Sequence, residues 1–341
     1  MEIRENDTID TRFYRVPSMR LWRGRDDGNE PSQRRWHQHV QLFDLTGPTT
    51  EELRNESAIA ILGFACDEGI KRNQGRIGAA RGPEAIRKAL STLPIFHPDL
   101  SIYDAGDIYC PGGELEIAQQ QLALAVVKIL RRGAFPIVLG GGHEITYGHY
   151  CGIYAFLRHQ QEAGPGVINF DAHFDNREVT ANGPTSGTGF WQIETDCKRN
   201  GEEFRYLALG IQKTSNTPHL FETAHRTDTR YALATQFDGH HRDQPADLVE
   251  RFSRTNEWLY VTVDLDVFAA PYAPGVSAPA YNGIRPDTLF FNCLEKVFAT
   301  GKLVSLDIAE LNPAMDIDGR TAKLAAAIIF YAVNYLSETR R

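Results

Sequence analysis

Two histidines and four aspartates fall in three short segments of this chain, and their types and spacing suit a pair of divalent metal ions. They are His143 in Gly140-Gly141-Gly142-His143-Glu144; Asp171, His173 and Asp175 in Asp171-Ala172-His173-Phe174-Asp175; and Asp264 and Asp266 in Asp264-Leu265-Asp266. In an extended segment, residues i, i+2 and i+4 point to one face, so each aspartate-containing segment is expected to present its ligands together. A mixed nitrogen and oxygen set without thiolate favours Mn²⁺, and after it Co²⁺, Ni²⁺, Fe²⁺ or Zn²⁺, over a soft metal or a structural zinc. Four carboxylates exceed what one divalent ion needs, which favours two. Paired ions turn water into a nucleophile near neutral pH, so the chain reads first as a hydrolase. Any one of these residues alone would more readily be a helix cap or a turn former. Their joint occurrence carries the inference.

Such ligands must be positioned, and each segment follows an apolar run that reads as a strand. Phe135–Leu139 precedes His143, Gly166–Phe170 precedes Asp171, and Trp258–Val263 precedes Asp264. Further strands are expected at Ala58–Phe64, Arg205–Leu209 and Lys302–Leu306. Continuous apolar runs of this length suit strands buried on both faces. Helical spacing marks Gly82–Leu90, Glu114–Arg132, Thr146–Gln161, Arg285–Ala299 and Asp318–Leu336, with Pro83 early in the first and Asp318 as the N-cap of the last. A short helix is expected around Gln33–Leu45 within a polar N-terminal arm, residues 1–57, ahead of a single domain, residues 58–341. Strands alternating with helices predict an α/β fold with a mostly parallel sheet covered on both faces. In such sheets ligands bind beyond the carboxyl ends of the strands, where all three segments lie.

Composition narrows the class. The 341 residues are 42% hydrophobic and 23% charged, with net charge −8 and no basic block of the kind that binds nucleic acid. The five cysteines form no CxxC pair, which argues against a disulfide framework or zinc ribbon and for a reducing compartment. No apolar run approaches a membrane span and no secretory signal is visible. A cytoplasmic protein acting on a small-molecule substrate is expected, without nucleic acid or membrane as partner and with a homo-oligomer left open.

The three ligand segments resemble the ureohydrolase family of arginases, agmatinases and formimidoylglutamases. Gly78–Arg87 and Ser305–Pro313 resemble it too, so the likeness runs from about Ala58 to the last helix. It implies a three-layer α/β arginase-like fold and two Mn²⁺ ions, with His143 on one side, His173 on the other and the four aspartates between. It implies also that Glu310 holds the planar cationic group of the substrate and that Asp175 relays a proton. A carboxylate suits such a group because it accepts charge-assisted hydrogen bonds.

Within the family, Thr185-Ser186-Gly187-Thr188-Gly189-Phe190 is similar to the formimidoylglutamase branch, with Ser186 where arginases and agmatinases carry a histidine. Gly189 departs from the proline common there. Leu21–Asp27, Asp67–Arg76 and Ala273–Pro279 resemble the same branch. That likeness implies hydrolysis of N-formimidoyl-L-glutamate to L-glutamate and formamide, a step of histidine degradation. Two substrate carboxylates would then need cationic partners, for which Arg177, Arg72 and Arg76 are the candidates beside Ser186. Another ureohydrolase releasing urea and a non-catalytic metal-binding module are the alternatives. Glu144 and His149 receive no role.

Overall fold

The computed structural model describes residues 7–28, 30–47, 58–238 and 243–339, so parts of the expected N-terminal arm, including residues 48–57, lie outside the described residues. The apolar runs become strands of one sheet: β1 Tyr14–Arg15, β2 Gln41–Leu42, β3 Ile59–Ala65, β4 Ile102–Tyr109, β5 Phe135–Leu139, β6 Gly166–Phe170, β7 Tyr206–Ile211, β8 Arg230–Leu233, β9 Leu259–Asp264 and β10 Leu303–Ala309. Their order is β1-β4-β3-β5-β10-β9-β6-β7-β8, with β2 also on β4, and every pairing is parallel except β1 with β4. Short β1 and β2 thus lie along the outer edge of β4 and cover backbone that would otherwise be an open edge.

The helices are α1 Trp36–His39, α2 Glu68–Arg72, α3 Gly82–Ser91, α4 Leu115–Arg131, α5 Ile145–His159, α6 Gly189–Asn200, α7 Pro218–Arg226, α8 Asp243–Thr255, α9 Thr288–Phe298 and α10 Arg320–Thr339. Alternate strand residues face two cores. Ile59, Ile61, Ile137, Val261 and Ile308 pack against α3, α8, α9 and α10. Ala60, Leu62, Val138, Tyr260 and Ala309 pack against α4 to α7. Both faces are buried, which is why these strands read as mostly apolar runs.

Two expectations are corrected, and one strand is added to them. The helix around Gln33–Leu45 is a single turn, α1, because Val40 turns extended and Gln41–Leu42 joins β4. The cap of the last helix is Asp316, whose carboxylate accepts from the backbone N–H of Thr321 and Ala322, while Asp318 sits at φ +56° before the helix starts. Strand β4 was not anticipated, since Asp104, Gly106 and Asp107 break its apolar pattern.

Those two aspartates are tolerated because Arg87, fully buried on α3, reaches both. Its guanidinium lies 2.8 Å from Asp104 and 2.6 Å from Asp107. Burial works to lower the Arg87 pKa, but the two carboxylates outweigh it and hold the group above its ordinary value. Trp22 adds a hydrogen bond from its indole N–H to Asp104 at 2.7 Å, tying the N-terminal segment to β4. Replacing Arg87 with Ala would leave two buried carboxylates without a counter-ion, a defect that costs about 3–5 kcal/mol. The expected outcome is a loss of that size in urea unfolding; a loss under ~1 kcal/mol would mean that the pair is not held as seen.

Candidate metal centre

Four adjacent strands in the middle of the sheet, β5, β10, β9 and β6, deliver the site at their carboxyl ends. After β5 the chain turns through Gly140–Gly142 into His143 and then α5. The turn is sewn to its neighbours: Gly140 N–H donates to Ile308 O at 2.6 Å, Gly142 N–H to Cys66 O at 2.9 Å, and Glu310 N–H to Gly141 O at 2.7 Å. A Cβ on Gly141 would lie 1.7 Å from the Cys66 carbonyl oxygen, so only glycine lets β5 and β3 approach this closely.

The other ligand segments converge through turns rather than by strand alternation, which corrects the expected geometry. Asp171 to Asp175 lie beyond β6, and Asp175 takes a left-handed conformation at φ +46°. Asn216 pins this loop, accepting from Phe174 N–H at 3.0 Å and donating to Ala172 O at 2.9 Å. Phe174 packs edge-on against Phe221 and Tyr231. Asp264 ends β9 and caps the 3₁₀ turn Leu265–Val267 by accepting from Asp266 N–H at 2.7 Å, which swings Asp266 to the same side.

The six residues form two ligand groups that share one aspartate. His143, Asp171, Asp175 and Asp264 are one group, and Asp171, His173 and Asp266 the other, with the ligand atoms of each within 4.8 Å of one another. His143 Nδ1 faces carboxylate oxygens of Asp175 at 2.8 Å, Asp171 at 3.1 Å and Asp264 at 3.4 Å. His173 Nδ1 faces Asp266 at 3.0 Å and Asp171 at 3.4 Å. His173 is the most open ligand, with 26% of its side chain exposed to the cavity.

This donor set fits a cation pair. Asp264 is pushed well above the usual carboxylate range, by burial first and then by the charges of Asp266 and Asp171. Burial likewise raises Asp175 and Asp266. Burial would lower His143 and His173, but the surrounding carboxylates outweigh it and push both well up. Four buried carboxylates around two imidazoles are an excess of negative charge, which divalent cations relieve. The same residues could hold two ions, with Asp171 between them.

Glu310 follows β10 at φ +71°, a strained conformation that aims its buried side chain at the same cavity. Its carboxylate accepts from His143 N–H at 3.0 Å. Burial first, then the charges of Glu144 and Asp266, hold it well above the usual carboxylate range. The cavity above the ligands is about 310 Å³ and is lined also by Arg177, Ser186, Asn73, Ser215 and Ser277.

Of the expected substrate contacts, Arg177 and Ser186 reach this cavity and two arginines do not. Arg72 donates to Glu116, to Gly113 O and to Pro184 O, so its guanidinium is committed to holding α2 against neighbouring loops. Arg76 donates to Ser277 O at 2.8 Å and Val276 O at 2.6 Å and ties two loops together. Both act on the walls, not in the cavity. Asn73, Ser215 and Ser277 also line the cavity, and as single polar residues in loops they have no spacing that marks them in the sequence. Asn73 donates to Ser186 Oγ at 3.2 Å.

Glu144 lies behind the cavity, accepting from Gly69 N–H at 2.9 Å, and burial pushes its carboxyl up to about 7. His149 is also buried away from the cavity, between Asp307 and Ser305.

Residues 57–334 match the model of the arginase family, and the chain belongs to that family. A formimidoylglutamase of Chromobacterium violaceum is 44% identical over 320 residues, 93% of this chain and 98% of that protein. A formimidoylglutamase of Geobacillus thermodenitrificans is 42% identical over 94% of this chain and 97% of its own. Among solved structures, a Trypanosoma cruzi formiminoglutamase with Mn²⁺ superposes with TM-score 0.73 at 27% identity, covering 84% of this chain and 95% of that one.

The Gly141 contact yields a test. Gly141→Ala forces backbone apart beneath His143, and overpacking of this kind costs about 1–3 kcal/mol. The variant should lose Mn²⁺ retained through gel filtration, read by elemental analysis, along with thermal stability. Parent-like metal content and Tm would show that the turn is not pinned against Cys66.

Proposed function

We infer that this chain hydrolyses N-formimidoyl-L-glutamate to L-glutamate and formamide at a centre holding two Mn²⁺ ions. The observation that carries the substrate is the pair of relatives, each named formimidoylglutamase and more than 40% identical across over 90% of this chain. The cavity's chemistry supports the reaction. His143, Asp171, Asp175 and Asp264 would hold one ion, and Asp171, His173 and Asp266 the other. When bound, the ions supply a nucleophile from water near neutral pH and stabilise developing negative charge.

The chain's own residues do the rest. Glu310 is a carboxylate whose charge burial disfavours, so a cationic amidinium is the partner that restores its ionised form. Its bond from the His143 backbone fixes the carboxylate, so the amidinium carbon is oriented toward the ligand groups. Attack of water at that carbon breaks the C–N bond to the glutamate nitrogen, which must leave with a proton. Asp175, beside His143 and facing the cavity, is the group placed to hand that proton over. Arg177 is exposed in the cavity mouth, and among the described residues no carboxylate pairs with it. A substrate carboxylate fits it by charge and by its planar fork of donors. Ser186, held by Asn73, offers a hydroxyl beside it. Release of L-glutamate would place the reaction in histidine degradation.

A guanidine substrate that releases urea would satisfy Glu310 equally, so the product decides. The Mn²⁺-loaded protein should release formamide and glutamate from N-formimidoyl-L-glutamate and no urea from agmatine, arginine or 4-guanidinobutyrate. Urea from any of these, without formamide, would overturn the substrate and keep the metal chemistry. Arg177→Ala should raise KM about tenfold or more, as expected for a lost charge-assisted hydrogen bond of ~1.5–3 kcal/mol, with metal content unchanged. An unaltered KM would remove Arg177 from substrate recognition.

A further inference from the structure

Behind His143 lies a buried hydrogen-bond chain that the reaction just described does not use. His149 on α5, Asp307 on β10, and Thr262 and Tyr260 on β9 are each about 0% exposed. Asp307 Oδ2 receives His149 Nδ1 at 2.6 Å and the Tyr260 hydroxyl. Asp307 Oδ1 receives the Thr262 hydroxyl at 2.6 Å. The Thr262 oxygen in turn lies 3.0 Å from His143 Nε2. On the far side, His149 Nε2 lies 2.6 Å from Ser305 Oγ, whose own proton goes to Pro136 O at 2.8 Å.

The donors and acceptors leave one arrangement. A hydroxyl has a single proton to give. Ser305 gives its proton to the Pro136 carbonyl, so toward His149 it can only accept, and His149 Nε2 must carry hydrogen. The Asp307 carboxylate is an acceptor, so His149 Nδ1 carries hydrogen as well. Both ring nitrogens of His149 thus face acceptors, the buried Asp307 carboxylate on one side and the Ser305 hydroxyl oxygen on the other. A buried carboxyl is tolerated where its oxygens are hydrogen-bonded, and Asp307 has three such partners in His149, Tyr260 and Thr262. Thr262 gives its proton to Asp307, so it can only accept from His143. His143 Nε2 then holds the hydrogen, so Nδ1, which faces the three carboxylates of the first ligand group, is the nitrogen a cation there would take in place of a proton.

We propose that His149 is a positioning residue: with Asp307 and Thr262 it holds His143 in the Nε2–H tautomer and so presents Nδ1 as a metal ligand. His149 holds the Asp307 carboxyl in place, Asp307 fixes the direction of the Thr262 hydroxyl, and that direction selects the His143 tautomer. Metal-bound histidines commonly depend on such a partner at the other ring nitrogen. The proposal rests on the metal reading above and assigns the neighbouring residues a task within it.

The test combines a spectroscopic signature in the intact protein with a pair of variants. In protein labelled with ¹⁵N-histidine and loaded with diamagnetic Zn²⁺, both His149 nitrogens should be protonated, and His143 should carry hydrogen on Nε2 alone. A bare nitrogen on His149, or hydrogen on His143 Nδ1, overturns the proposal, and this readout needs no substitution. In parallel, Mn²⁺ titration followed by electron paramagnetic resonance should show Thr262→Val binding about 10–100-fold more weakly than the parent, with Thr262→Ser restoring the affinity. Parent-like affinity in Thr262→Val overturns the proposal alone. Failure of the parent to take up Mn²⁺ overturns the metal reading and this proposal with it.

Discussion

The excess of buried negative charge at the carboxyl ends of four central strands is the constraint on which the rest of this structure depends. Asp171, Asp175, Asp264 and Asp266 surround two imidazoles, and Glu310 adds a fifth carboxylate to the same cavity. No fold would assemble such a set for stability, since each carboxylate raises the cost of ionising the next. It persists only because the surrounding elements over-determine it. The Gly140–Gly142 turn is bonded on both sides, the Asp171 loop is clamped by Asn216, and Asp266 is swung inward by the cap that Asp264 supplies. Two residues near this charge, Asp175 and Glu310, sit at positive φ, so backbone strain accompanies the electrostatic strain. Divalent cations would relieve the second, and on the proposed reading the substrate's amidinium would complete the relief at Glu310.

Much of this was legible in the sequence, and what was legible shares a cause. A strand buried on both faces is apolar along most of its length, so β3 and β5 read as unbroken runs and β6, β9 and β10 as runs interrupted by one or two polar residues. The ligands follow those runs directly, which is why their place at the strand ends could be read. Strand β4 escaped because its fitness for the interior depends on Arg87, which sits on a different element and meets Asp104 and Asp107 only in the fold. Arg72 and Arg76 misled for the converse reason. Their types suited substrate carboxylates, but a guanidinium goes to whatever acceptors the loops bring within reach. Here those are Glu116 and carbonyl oxygens of Gly113, Pro184, Val276 and Ser277. The cap at Asp316 rather than Asp318 is the same lesson on a shorter scale: both residues are suitable chemically, and the backbone conformation of Asp318 decides between them.

The specificity of the cavity separates from its reactivity along the same lines. The proposed metal ligands and Glu310 come from the ends of central strands, where neighbouring strands fix their positions in register. Arg177, Ser186, Asn73, Ser215 and Ser277 come from loops above the sheet. A change of substrate within one fold requires only that the loops change, because hydrolysis of an amidine or a guanidine asks the same of the ligands and of Glu310. Arg72 and Arg76 belong to this account after all. Arg72 ties α2 to the loop at Pro184, and Arg76 ties its own loop to Ser277, so both shape the walls that carry Ser186, Asn73 and Ser277.

The buried chain behind His143 extends the electrostatic argument one layer outward. The cavity side of His143 is crowded with carboxylates, each of which would draw a proton onto Nδ1 and so compete with a metal ion for the same lone pair. Those carboxylates alone cannot protect the ligand form of the ring, because they stabilise the protonated ring as well. Something on the opposite edge must favour hydrogen at Nε2. The Thr262 hydroxyl, turned by Asp307, does so without bringing a charge into contact with the ring. Asp307 is held in turn by His149 on α5, the helix that begins at the end of the turn carrying His143. The negative cluster in front and the His149–Asp307 pair behind are thus two halves of one arrangement, coupled through a neutral hydroxyl.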